Sequence, residues 1–514
     1  MAQFPAPAAA SERAKPVTES SDDFKSRLLS ARRFRDAARP FIEEVLSFCR
    51  PGREKEFQRS PNSKSLTDTT KFISLPEELA TDLAGDLVTY YTPPESKWLD
   101  LEASQADIDD EDAVLELLTE REDDIKGLFE SSNYYDIAPQ WGFETSSHGT
   151  PALWVQKAHS TQPIHFEAVP PSQLLITPGH LGILDRFREV SVQASTLPAL
   201  FFGWQVNLSD PILAAKIKKP NAWCKVVWGF WVDWSDPGRP LWKAEISVDG
   251  KQVLAPMVLG EFAVACPLLV GRFNPQLDTP WGRGPGWKAL ADMRVLDKIA
   301  EVTLSGLDQS ILNTIIYADD GFLDLSEGIQ GGTAIPASRG FTKDGIYDLS
   351  RNVNVDQGWF SEERFEEKLR TAFYQNGPRQ RGETPPTASQ WLDERRRVQQ
   401  RIGKPSAPLW TELIGPMIQR VEFLGAQAGL IKGPITFNKN VVNTKPISPL
   451  QKAQNQDQVM VAQSNLQLAQ GVFGDQVGGI VDGVQTFRNI VQKSGDELTV
   501  IRKEEAVAPA APAQ

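Results

Sequence analysis

Trp281-Gly-Arg-Gly-Pro-Gly-Trp-Lys-Ala-Leu-Ala-Asp-Met-Arg-Val-Leu-Asp-Lys-Ile-Ala-Glu-Val-Thr-Leu-Ser-Gly-Leu-Asp-Gln-Ser-Ile-Leu312 is the stretch on which the reading of this chain turns. It opens on Gly282-Arg283-Gly284-Pro285-Gly286, which lacks the lysine of a GxxxxGK[ST] loop and is no dinucleotide fingerprint. Such a run provides a tight turn into a helix, not a phosphate cradle. From Pro285 onward Leu290, Met293, Leu296, Ala300, Leu304, Leu307 and Ile311 recur at helical spacing, which predicts one long helix from Pro285 to Leu312. Asp297, Glu301 and Asp308 fall within about 40° of one another on a 3.6-residue wheel, an acidic face on that helix.

Working outward, residues 150–275 read as β-rich, with runs such as Ala222-Trp-Cys-Lys-Val-Val-Trp228 between Pro and Gly turns. Ten of the 14 tryptophans lie between Trp141 and Trp287, which suits core or interface anchors better than a ring-stacking surface. Nearer the start, Phe24, Leu28, Phe34, Ala38, Phe41, Val45 and Phe48 mark an amphipathic helix that Pro51-Gly52 stops. A second helical pattern runs from Leu75 to Tyr91, followed by the strand-like Lys97–Leu101. Downstream come a Gly-rich β-like stretch at 313–350 and a helix from near Ser361 to Asn376-Gly377-Pro378. Pro385-Pro386-Thr387 opens a helix to about Ile402, Pro405 and Pro408 are read as beginning another, and 446–505 is helical and Gln-rich. The fold class is α+β.

The chain has 514 residues, 54 Lys and Arg against 67 Asp and Glu, a net −13. That length suits about three domains. The charge is unevenly placed. Residues 95–130 hold fourteen acids against Lys97, Arg121 and Lys126, a local −11, read as a solvated helix face. Residues 364–404 carry a local +5, and the loop between helices there presents Arg379 and Arg381 among small residues, an arrangement able to touch phosphates without reading sequence. Three widely spaced cysteines (Cys49, Cys224, Cys266) form no disulfide framework, the first residues lack the apolar core of a signal peptide, and no stretch is apolar enough for a bilayer. A protein that folds in a reducing cytosol is expected.

Chemistry-bearing motifs are sparse. Tyr317-Ala318-Asp319-Asp320 resembles the catalytic hairpin of reverse-transcriptase-like polymerases, where paired carboxylates hold two Mg²⁺ ions. Gly321 follows at once, which suits an ordinary Asp-Asp-Gly turn, and no companion strand offers a third aspartate. His148, His159, His165 and His180 have no metal-ligand spacing, and no nucleophile arrangement occurs. No cofactor, no metal and no enzyme activity is expected.

The order of the pieces resembles the portal proteins (head-to-tail connectors) of short-tailed, podovirus-type bacteriophages. The resemblance rests on Tyr91-Thr-Pro-Pro-Glu-Ser-Lys-Trp-Leu-Asp-Leu101, Gly149-Thr-Pro-Ala-Leu-Trp-Val155, Arg272-Phe273 with Trp281-Gly-Arg-Gly284, Gln380-Arg-Gly-Glu-Thr384 with Thr387-Ala-Ser389, and Leu409-x-x-Glu412-Leu413-Ile414-x-Pro416, in that order across most of 24–500. The family's acidic residue after Thr-Ala is displaced here, beside Pro385-Pro386. The resemblance implies a ring, usually of twelve copies, at one capsid vertex. It implies a disordered start (1–19), an α/β wing (20–284), stem helices (285–312 and 357–376), a β-containing clip (313–356), a tunnel loop (377–390), a kinked helix and wing return (391–445), a helical crown (446–505) and a tail (506–514). The implied partners are further copies of the chain as a dodecamer, double-stranded DNA without sequence specificity, major capsid and scaffolding proteins, the terminase large subunit and a tail adaptor. No membrane is involved. The implied location is the virion, and the host cytoplasm during assembly.

Two other functions remain open at this point: a polymerase using Asp319 and Asp320, and a Trp-rich carbohydrate-binding protein. The conduit suits the charge pattern. Repeated acidic faces (Asp297, Glu301, Asp308) would keep DNA from sticking, while Arg379 and Arg381 touch its backbone.

Overall fold

A computed structural model of the chain describes residues 21–53, 57, 71–94, 98–103, 111–159, 162–204, 206–260, 263–311, 315–317, 346–348, 355–375 and 401–432, and then shorter stretches between 436 and 490. Helix α1 (Asp22–Cys49) starts where the Ser21 hydroxyl accepts the Phe24 N–H at 3.2 Å, with Asp22 and Asp23 in the first turn. Its first half buries Phe24, Leu28 and Ala31 against Leu175, Phe187, Val227 and Trp231 of a five-stranded sheet. Its second half, Ala38 to Cys49, joins the main core.

That sheet is an antiparallel meander of β4 (Leu174–Pro178), β5 (Leu184–Gln193), β6 (Trp223–Asp233), β7 (Leu241–Val248) and β8 (Lys251–Gly260), in chain order. Because α1 covers one face and the main core the other, Val226 to Val232 of β6 is an unbroken buried run, with no alternation to read. Arg27 and Arg32 of α1 reach Asp185 and Glu189 of β5 at 2.7 and 2.6 Å, which fixes how the helix lies on the strands. A second sheet, ordered β3 (Gln162–Ala168), β2 (Ala152–His159), β9 (Leu268–Val270), lies beneath.

Helices α2 (Leu75–Tyr91), α3 (Glu111–Glu130) and α4 (Tyr134–Ser147) complete this part of the core, with two short helices, α5 (Leu197–Leu200) and α6 (Pro211–Ile217), in the connection between β5 and β6. β1 (Leu101–Ala103) pairs antiparallel with β14 (Thr444–Pro446), so the chain after residue 440 returns to the region near its start. Two further two-residue strands, β12 (Thr436–Phe437) and β13 (Asn440–Val441), precede it. Trp141, Trp154, Trp228, Trp231, Trp242 and Trp281 are buried, which is the anchoring role their density predicts.

The deciding stretch forms α7 (Pro285–Ile311), within a residue of the predicted span. β10 (Ile315–Tyr317) and β11 (Ile346–Asp348) follow as an antiparallel pair, and α8 (Val355–Ala372) returns alongside α7. α8 starts some six residues before its sequence reading and stops when Tyr374 takes φ 62°. The reading of Pro405 and Pro408 as a fresh helix start is corrected. Residues 401–409 are already helical and run on through a π turn at Trp410–Ile414 into α9 (Gly415–Gln427). Pro416 has no N–H for the ladder, and the π turn, in which Gly415 N–H bonds Trp410 O, takes up the mismatch without ending the helix. α10 (Pro449–Phe473) follows.

The acidic 95–130 segment is only partly the solvated face expected of it. On α3, Arg121 and Glu122 are buried. Glu122 accepts the Leu101 N–H at 2.6 Å, and Arg121 donates to the Lys432 carbonyl at 2.7 Å. Among the described residues, no helix is long and apolar enough to cross a membrane.

Candidate functional site

The root of α7 is built from main chain. The C-terminus of α4 and the turn before α7 lie so close that neither has room for side chains between them. Gly149, at φ +90°, would place a Cβ 2.2 Å from the Gly284 nitrogen, and Gly284 would place one 2.5 Å from the Ser147 carbonyl oxygen. With no side chains between, Phe273 N–H bonds Gly149 O at 2.8 Å, Arg283 N–H bonds Phe273 O at 2.8 Å, and Gly284 N–H bonds His148 O at 3.1 Å. The Thr150 hydroxyl accepts the Gly282 N–H at 2.9 Å.

Beneath this junction lies a largely buried polar network. His148 is fully buried; its Nδ1 accepts the Thr150 N–H at 3.2 Å, so its Nε2 carries the proton and donates to Glu144 Oε2 at 2.6 Å. Arg53 donates to the other oxygen of Glu144, also at 2.6 Å. Burial pushes the Glu144 carboxyl upward from its ordinary 4.5, but the Arg53 charge and the two hydrogen bonds outweigh it and hold it at about 2. A cavity of about 220 Å³ beside it is lined by Arg50, Arg53, Gln140, Glu144, Ala168 and Pro170.

A clamp holds the helix 401–427 against the same junction. Arg272 grips Glu412 in the π turn with both its Nε and Nη2, at 2.5 to 3.1 Å. Asn274 N–H bonds the Pro405 carbonyl at 2.8 Å, and the Tyr91 hydroxyl bonds that of Ser406 at 2.9 Å. Segments 91–101, 149–155, 272–284 and 409–416, far apart in sequence, thus contribute residues to one region of the core. What that arrangement can do is mechanical: it joins the long helix, the sheets and the helix 401–427. Among the described residues no three of His, Cys, Asp and Glu are placed to hold a metal ion.

The family model for bacteriophage head to tail connecting protein matches residues 21–500. The chain belongs to that family. Among curated proteins none matches this connector. Among solved structures it is similar to a chain of the virion of a native gene transfer agent particle, at 11% identity and TM-score 0.38, over 84% of this chain and 90% of that one. It is likewise similar to a chain of the neck of an empty gene transfer agent particle, at 12% identity and TM-score 0.38, over 81% and 89%. At those scores the two likenesses carry no argument of their own.

Arg379 and Arg381 lie outside the described residues, as do Asp319 and Asp320. Asp297 and Glu301 sit on α7, but Asp297 is not a free carboxylate: it accepts the Phe72 N–H at 2.8 Å and stands 3.4 Å from Lys71 Nζ. Glu301 is more open and pairs with Lys298 at 2.8 Å. Asp308 belongs to α7, with its side chain outside the described set. Sequence reasoning missed the buried pair of Glu144 and His148, whose only signal was their four-residue spacing on a helix.

Proposed function

We propose that this connector is a portal: a ring of copies, twelve in the usual case, at one vertex of a phage capsid, through which double-stranded DNA enters during packaging and leaves on ejection. The observation that carries the reading is the family match over nearly the whole chain. Support comes from the succession of α7, the β10–β11 pair and α8, two helices joined through a small β element, as a stem and clip require. On this reading residues 20–284 are the wing, 313–356 the clip, 377–390 the tunnel loop and 446–505 the crown. The ring docks the terminase large subunit for packaging, then a tail adaptor, after assembling among capsid and scaffolding proteins in the host cytoplasm.

No bond is made or broken by such a ring; its work on DNA is electrostatic. Arg379 and Arg381 touch the duplex backbone without reading bases, and repeated carboxylates on α7 keep it sliding. Lys71 stands by Asp297 and Lys298 by Glu301, so each copy adds less negative charge to the channel than its three carboxylates alone would. Electron microscopy of the purified protein should show rings with a central hole; monodisperse monomers would overturn the reading. Arg379→Ala with Arg381→Ala should leave ring formation intact and lower packaged DNA, and normal packaging with normal retention would remove the contact role. Primer extension should be absent, with or without Asp319→Ala.

A further inference from the structure

α7 is apolar on two opposite sides. One stripe, Met293, Leu296 and Ala300, is buried in the core. On the other side Ala291, Val295 and Val302 are exposed, Ile299 is half-buried, and Lys288 and Lys298 stand exposed among them, Lys298 pairing with Glu301 of its own helix at 2.8 Å through a surface contact that a second carboxylate can share. On a 3.6-residue wheel these six span a sector of about 100° roughly opposite Met293. The flanks of the sector are occupied: Arg294 bonds Glu44 of α1 at 2.5 Å, and Asp292 pairs with Lys368 of α8 at 3.7 Å. Val295 and Val302 nevertheless stay 41% and 58% exposed. A helix with apolar residues on both sides is suited to being covered on both.

We propose that this face of α7 is the contact with a second copy of the chain, and that Lys298 there meets Glu363 of the partner subunit. The inference rests on the ring reading and adds which side of the helix pair closes the ring. Nucleic acid is the poorer occupant, because a phosphate backbone is bound by cationic and hydrogen-bonding groups and gains nothing from Ala291, Val295 and Val302. A closed ring needs a heterologous contact, in which two different faces meet. The face available to answer α7 is the side of α8 turned away from it. There Leu369 and Phe373 point inward and buried, while Glu363, Glu367 and Thr371 form an exposed row at four-residue spacing.

Heights along the helices select the pairing. The antiparallel β10–β11 pair sends the chain back, so α8 runs against α7, and the Asp292–Lys368 pair fixes their level. Lys298 stands about 9 Å beyond Asp292 at 1.5 Å per residue, and α8 reaches that level an equal distance before Lys368, at Glu362 and Glu363. Rotation about a ring axis running along the helix pair keeps every residue at its own height. Lys298 of one copy therefore meets the level of the exposed Glu363 of the partner subunit, with Ala291 and Val295 of the apolar sector below that level and Val302 above it.

The test uses the full-length chain, with ring content read by sedimentation velocity and electron microscopy and helix content by circular dichroism. Val295→Asp with Val302→Asp should reduce rings at least tenfold at unchanged helix content, since both sites are exposed. Lys298→Glu and Glu363→Lys should each lower ring yield severalfold, and the double exchange should return it to within about twofold of the wild type. Rings at wild-type yield in the Val295/Val302 variant overturn the inference and leave the ring reading standing. If those rings form but retain less DNA, the face belongs to the channel instead. Failure of the exchange to restore rings overturns the Lys298–Glu363 pairing, and a wild type without rings overturns both readings.

Discussion

Glu144 carries its charge in a nearly buried position, held by Arg53 and by the Nε2 proton of His148. Removing one partner of a buried pair leaves the other uncompensated, so Glu144→Gln should cost about 3–5 kcal/mol at neutral pH, read by chemical denaturation. The sign of the pH effect follows from the depressed carboxyl. With a folded value of about 2 against an ordinary 4.5, its contribution is complete above about pH 4.5 and is lost as the pH falls toward 2. The variant should therefore lose less stability than the wild type across that window; parallel losses would refute the assignment. Arg272 and Glu412 make a more accessible pair, and Arg272→Ala should cost about 2 kcal/mol by the same measurement. Neither network could be found by composition. Glu144 and Arg53 lie 91 residues apart and Arg272 and Glu412 140, and nothing local marks a carboxylate that will be buried.

At the scale of elements, the long helix was legible because its apolar stripe repeats through several turns, and Leu290, Met293, Leu296 and Ala300 are buried as that period requires. Leu304 belongs to the same stripe and is 48% exposed, since periodicity gives a direction but not how far the neighbouring elements extend. The helix through Pro405 and Pro408 was misread for a related reason: a proline predicts a lost hydrogen bond, and the π turn that absorbs Pro416 has no sequence signature of its own. The glycines before α7 lead into the helix through long-range main-chain contacts, and that with Gly149 depends on a segment more than a hundred residues away. Gly284→Ala meets backbone atoms at 2.5 and 2.7 Å that cannot swing aside, and should cost at least about 3 kcal/mol of thermal stability. Gly127→Ala on α3 meets nothing within 4 Å and should instead gain about 0.5–1 kcal/mol.

For the whole molecule, a net −13 per copy weighs against DNA binding only if binding means holding fast. Purified rings should bind short duplex DNA weakly at low salt, with a shallow dependence on salt concentration, measurable by fluorescence anisotropy. Tight binding with a steep salt slope would contradict a sliding conduit. The union of α4 and α7, made largely by main-chain hydrogen bonds, bears on how force would travel in such a body. Side-chain contacts give under load, because rotamers can change before the backbone moves. A joint of peptide groups has no such slack. Twenty-seven residues make α7 a rod of about 40 Å, and a rod set in an unyielding socket acts as a lever. In the proposed ring, a push at its far end would reach α4 and the sheets as rotation, which would link events at the two mouths.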